Sequence, residues 1–134
     1  MARVPPLLAP LLQAVPCQLR NLRADVVIAS RLELAADSKS RNRGLLGRDH
    51  LEAGAGLVIA PCSSVHTFFM RFAIDVLFVG RDATIVKCVR DLRPWRIALA
   101  PRAYAVVEVP AGTLRASGTV RGDRVVFEPS TARG

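Results

Sequence analysis

Short apolar runs alternate with short polar or turn-forming breaks along the chain, and their spacing favours strands over helices. Leu22 to Leu34 reads as strand, with Val26, Val27 and Ile28 as a β-branched centre and Arg31 to Leu34 alternating polar and apolar. Asp37 or Ser38 then caps a short helix running to about Arg48, which puts Arg41, Gly44 and Arg48 on one face. Residues 57–59, 68–72, 74–79, 85–89, 104–109 and 124–127 are strand-like. The turn Gly80 to Asp82 joins two of them into a hairpin. Pro94 and Pro101 bracket a loop or edge segment holding Trp95, and Ala111 to Ser117 makes one or two helical turns. Many short strands with frequent turns predict a mainly β fold. We expect a compact single-domain β-sandwich or partly closed barrel with one or two short helices.

The length of 134 residues is one domain's worth, and about two thirds of the extended chain's surface is buried at this size. A core therefore forms without help from disulfides or metal. The expected limits are a loosely ordered, proline-rich leader over 1–20, the β domain over 21–129 and a flexible tail over 130–134. The leader is apolar from Val4 to Cys17 except for Gln13, but Pro5, Pro6, Pro10 and Pro16 break it. It is too short to span a bilayer, so no transmembrane span is expected, and it lacks the form of a signal peptide. Contact with a membrane surface or a partner is the role left to it. Cys17, Cys62 and Cys88 are odd in number and irregularly spaced, which is not a disulfide framework. A reducing, cytoplasmic setting follows, with export by an atypical leader and a Cys62–Cys88 bridge left open.

Charge narrows the partners. Lys and Arg number 19 against 11 Asp and Glu, a net charge of +8 that is almost all arginine. Such a surface favours phosphates, anionic lipids or acidic partners. With one Trp, one Tyr and five Phe there is no evident base-stacking platform, so nucleic acid is not the expected partner.

A few residues carry candidate chemistry. Asp75 lies in an apolar strand, where a carboxylate needs a hydrogen-bond or ionic partner. It either orients a ligand or acts as a base, or it pins the fold by accepting from Arg41, Arg48, Arg71 or a turn. Cys62 and His66 form a Cys-x-x-x-His pair that suits a nucleophile with its base or two metal ligands. Two ligands are too few for a structural zinc, and neither His50 nor Cys88 is spaced to complete them, so no metal and no cofactor is expected. Glu108 alternates onto the face of Tyr104 and Val106 and is a second carboxylate to set beside Asp75. Trp95 is a binding aromatic, a lid or edge packing; Phe68, Met70 and Phe72 read as core.

Three blocks together resemble one family. They are Arg41 to Arg48 (RNRGLLGR), Val65 to Phe78 (VHTFFMRFAIDVLF), and Val107 to Gly112 (VEVPAG) followed by Gly122 to Val125 (GDRV). Their order and spacing over roughly residues 22–128 resemble family 192 of the domains of unknown function, a prokaryotic family. The form His-Thr-x-x-Met-Arg at His66 to Arg71, with Cys62 four residues earlier, is similar to one branch of it; Leu46 stands where relatives commonly have methionine. The resemblance implies a small, mainly β fold and supplies no reaction. The leading expectation is a non-enzymatic binding module for a small polar or anionic ligand, using Arg41, Arg48, His66, Arg71, Asp75, Trp95 and Glu108. The alternatives are a hydrolase built on Asp75 and His66, perhaps with Cys62, and an accessory protein docking through its leader and basic surface.

Overall fold

The structure is a computed structural model, and it describes residues 6–13 and 15–131. A short 3-10 helix, Pro6–Leu12, leads into β1 (Cys17–Asn21), β2 (Val26–Ala29) and β3 (Arg31–Ala35). Helix α1 (Ser38–Arg43) follows, then β4 (Ala55–Ile59), β5 (Ser64–His66), β6 (Ile74–Val79), β7 (Ile85–Leu92), β8 (Ile97–Leu99) and β9 (Ala105–Pro110). Helix α2 (Thr113–Ser117) and β10 (Val125–Pro129) complete the described chain.

The expected mainly β domain is what forms. Its centre is a five-stranded sheet in the order β3-β4-β9-β6-β7, with β3 and β4 parallel and the other pairs antiparallel. A three-stranded sheet, β10-β1-β2, covers one face, so that Leu19, Ile28, Val125 and Phe127 meet Val58, Leu77, Val79, Val107 and Val109. The opposite face, carrying Ile59, Val76, Phe78 and Val106, is covered by Leu45 after α1, by Met70, and by Val65 and Ala98 of the two-stranded β5-β8 ribbon. Strands β6 and β9 are therefore buried on both sides. This explains why both read as continuous apolar runs rather than as alternation.

Several expectations change. The strand expected over 22–34 is a turn at 22–25 followed by two strands, β2 and β3. Asn21 Oδ1 accepts the amide of Ala24 at 3.0 Å and Asp25 has φ +52, which folds the chain back between β1 and β2. Cys17 to Arg20, expected in the leader, belong to β1, which pairs with both β10 and β2; Leu8 of the 3-10 helix is buried in the core. Ser130 and Thr131, expected in the tail, donate to the Ser30 carbonyl at 3.0 Å and to Gln18 Oε1 at 3.1 Å. The remainder of those two expectations, at 1–5, 14 and 132–134, lies outside the described residues. Residues 68–72 are turn, not strand, because Phe69 sits at φ +64 and Met70 N bonds back to the Thr67 carbonyl. All three cysteines are free, so the Cys62–Cys88 bridge is not made. No helix among the described residues is long and apolar enough to cross a membrane.

Asp75 is explained by this architecture. On β6 it faces the three-stranded sheet with Leu77 and Val79, opposite Val109 in the pairing with β9. Its Oδ1 accepts the amide of Asp91 at 2.8 Å, and its Oδ2 accepts those of Gly112 at 3.1 Å and Leu114 at 2.9 Å. The expected arginine partners are elsewhere: Arg48 pairs with Glu33 at 2.9 Å, Arg71 with Asp49, and Arg41 donates to the Ala36 carbonyl. Asp75 thus ties β7 and the entry to α2 onto the central sheet, a structural role that uses both of its oxygens. Replacing Asp75 by Ala strands those amides and should lower the unfolding free energy by about 3 kcal/mol, seen as a lower urea midpoint. Asp75→Asn keeps one acceptor and should lose less; a midpoint unmoved in both variants would refute the assignment.

Candidate functional site

The residues expected to carry chemistry do not gather in one place. A cavity of about 420 Å³ opens on the α1 side of the central sheet, and Arg41, Cys62, His66 and Glu108 line it. Asp75 is on the other face of the sheet, so it meets neither His66 nor Glu108. The hydrolase pairing of Asp75 with His66, and the two-carboxylate pairing of Asp75 with Glu108, are therefore both corrected. A strand presents successive side chains to opposite faces, and Asp75 and Glu108 fall on opposite parities across the β6–β9 register, in which Val76 faces Glu108.

Glu108 forms the cavity floor. It sits in the middle of β9, between Leu57 of β4 and Val76 of β6, and is 3 % exposed. Burial pushes its carboxyl up to about 7, against a partial opposing pull from Arg48. Among the described residues no donor hydrogen-bonds to it. Its neighbour is Gly44, which ends α1 at φ +47; a Cβ there would stand 3.6 Å from Glu108 Oε1. A side chain at this position would strain the positive-φ backbone while touching the carboxyl at ordinary contact distance.

Helix α1 supplies the rim. Asp37 caps it by accepting the amide of Ser40 at 2.8 Å. The helix ends at Arg43 rather than near Arg48, because Gly44 turns the chain with its amide on the Ser40 carbonyl. Its last turn delivers Arg41 and Arg43 to the cavity, while Arg48 leaves the helix to bind Glu33. Arg43, which nothing local in the basic stretch Lys39 to Arg43 singles out, makes no ion pair among the described residues.

Cys62 and His66 both line the cavity, but Cys62 precedes β5, so the two do not share a strand face as expected. The Cys62 thiol donates to the Ser64 carbonyl at 2.9 Å, and burial pushes its pKa up. It is thus held as a thiol, the weaker nucleophile. His66 is exposed and stacks on Phe68 at 5.0 Å. His50 and Cys88 do not line the cavity, and among the described residues no three His, Cys, Asp or Glu side chains are grouped to hold a metal. Arg71 and Trp95 also lie outside it; Trp95 packs on Phe68 and Phe69.

A family model for DUF192, described as Uncharacterized ACR, matches residues 20–127. The chain belongs to that family. Two UPF0127 proteins are similar over part of it: one from Pyrococcus abyssi, 39 % identical over 64 residues, and one from Pyrococcus furiosus, 41 % identical over 64 residues. Each alignment takes in 47 % of this chain and 54 % of the relative, so the chain spans about half the length of the curated relatives it matches. A protein of unknown function from Novosphingobium aromaticivorans has the same fold, with a TM-score of 0.71 at 24 % identity over 82 % of both chains. A protein from Sinorhizobium meliloti, provisionally named a transcription regulator, gives 0.74 at 22 % identity over 84 % of this chain and 92 % of its own.

In this DUF192 protein the floor carboxyl has a measurable consequence. Its folded pKa of about 7 exceeds the ordinary 4.5, so the folded state holds the proton more tightly. Stability therefore falls as pH rises from about 4.5 through 7 and levels off above that. The full cost of ionising Glu108 is on the order of 3 kcal/mol. Glu108→Gln should match the wild type in thermal midpoint at acid pH and exceed it at alkaline pH. Parallel pH profiles for the two proteins would contradict a buried, unpaired carboxyl.

Proposed function

We propose that this DUF192 protein is a binding module whose cavity takes a small polar or anionic ligand carrying a hydroxyl or amino group. One observation carries the reading: a carboxyl buried at the floor of an open cavity has no protein partner and costs stability when ionised. Such a group is accounted for if a ligand supplies the missing hydrogen bond. At about pH 7 Glu108 is close to half-protonated, so it both accepts from and donates to a ligand at little energetic cost. Arg41 and Arg43 at the mouth favour an anionic substituent at the other end of the ligand. The volume of about 420 Å³ suits a metabolite rather than a polymer. The thiol form of Cys62 and the distance of Asp75 from the cavity leave no activated nucleophile, which favours binding over hydrolysis. The regulator name of the S. meliloti protein does not bear on this reading, because likeness at 22 % identity speaks only for the fold.

The test is a thermal-shift screen of hydroxy acids, amino acids and phosphorylated sugars at about millimolar concentration. A hit should raise the midpoint of the wild type. Glu108→Gln should abolish that rise even though the substitution stabilises the empty protein, and Arg43→Ala should weaken it for anionic hits. Hits that stabilise Glu108→Gln equally well, or the absence of any hit, would remove the reading.

A further inference from the structure

A second surface, carried by the turn after β5, the loop before β8 and β8 itself, presents large apolar side chains to solvent. Phe69 is 72 % exposed, Trp95 55 %, Ile97 62 % and Leu99 53 %. They are contiguous. Phe69 and Trp95 meet at 4.6 Å between ring centroids, and Trp95 meets Phe68 at 5.8 Å. Ile97 and Leu99 share the outer face of β8, with Ala98 buried between them. Exposed apolar residues scattered singly call for no explanation, but a contiguous group does.

Two features show that the display is built into the fold. Phe69 at φ +64 and Trp95 at φ +68 both occupy the left-handed region, which is unfavourable for bulky side chains. Both loops are held by one buried residue. The Thr67 carbonyl accepts the amides of Met70 at 3.1 Å and Trp95 at 3.0 Å. The Thr67 amide donates to the Arg96 carbonyl at 2.9 Å, while its hydroxyl donates to the Arg93 carbonyl at 2.5 Å and accepts the Arg96 amide at 2.9 Å.

The surroundings are cationic. Arg96 follows Trp95, and the Leu99 end runs into a groove of about 620 Å³ to which Lys87, Arg102 and Arg121 contribute and no acidic residue does. Among the described residues none of these four cations makes an ion pair.

We infer that this face seats on an anionic phospholipid bilayer. Phe69, Trp95, Ile97 and Leu99 would enter the interface, with phosphate headgroups against Lys87, Arg96, Arg102 and Arg121. Charge and size select this occupant. A second copy on a two-fold axis would bring like-charged cations together. A stable protein interface needs roughly 20–30 residues a side, far more than this patch offers. A bilayer needs only a few inserted side chains with basic residues beside them. The surface differs from the leader considered above, and it does not depend on the cavity having a ligand.

Trp95 is the sole tryptophan, so its fluorescence reports on this face alone. With vesicles of equal parts phosphatidylglycerol and phosphatidylcholine, its emission should shift to the blue and the protein should co-sediment, less so as salt rises. Leu99→Ser and Ile97→Ser should each weaken binding roughly tenfold. Phe69→Gly should weaken it without lowering the melting temperature, because glycine suits the backbone at that position. No shift and no co-sedimentation would overturn the proposal. So would equal binding to vesicles of phosphatidylcholine alone. A blue shift that follows protein concentration without lipid, with dimers in sedimentation, would assign the face to a second copy instead.

Discussion

Burying β6 and β9 on both faces is the constraint from which the rest of the molecule follows. Every side chain on these two strands must enter one of two apolar layers, and each strand carries a single carboxylate. The two are treated in opposite ways. Asp75 enters the layer closed by the three-stranded sheet and is surrounded by backbone amides from β7 and the start of α2. Glu108 enters the layer beneath α1 and meets a glycine and a cavity. One carboxylate knits the fold together; the other has no protein hydrogen-bond partner among the described residues and opens onto the cavity.

A charge-rich cluster elsewhere shows how the same chain satisfies a buried acid with protein donors. Asp123 receives Arg23 through two guanidinium nitrogens, at 2.5 and 2.9 Å, together with Asn21 and the amide of Val120 at 2.9 Å each. The Arg23 hydrogen bonds, joined by those of Val120 and Asn21, hold its carboxyl well below the usual carboxylate range. Glu108 has nothing of this kind around it. The contrast between two acids in one small core argues that the unpaired state of Glu108 is a property of its site rather than a general looseness of packing.

Much of the fold was legible in the sequence. The boundaries of β6 could be read to the residue from its apolar run, and a cap at Asp37 or Ser38 from the place of these residues before a polar helix; the cap is Asp37. The family resemblance over roughly 22–128 agrees with the match over 20–127. What could not be read is set by tertiary contact. Alternation within β9 placed Glu108 beside Val106, whereas Tyr104, expected on the same face, packs with Val107 and Val109 on the other; and no local pattern states that β6 pairs with β9 in a register that sends Asp75 to the opposite layer. Nor does anything in His66 to Arg71 announce that the chain turns at Phe69, since its left-handed backbone contradicts the strand propensity of the segment. Thr67 was passed over because threonine is unremarkable by type; its importance lies wholly in the two loops that converge on it.

The pairing of β1 with β10 sets an order on how this molecule comes into being. Cys17 lies opposite Pro129 and Asn21 opposite Val125, so a strand made early must wait for one made more than a hundred residues later. During synthesis the edge of β1 that pairs with β10 stays open until β10 has been made. Non-local closure of this kind is slow. Truncation just before Val125 would therefore leave that edge of β1 unpaired rather than give a slightly smaller domain.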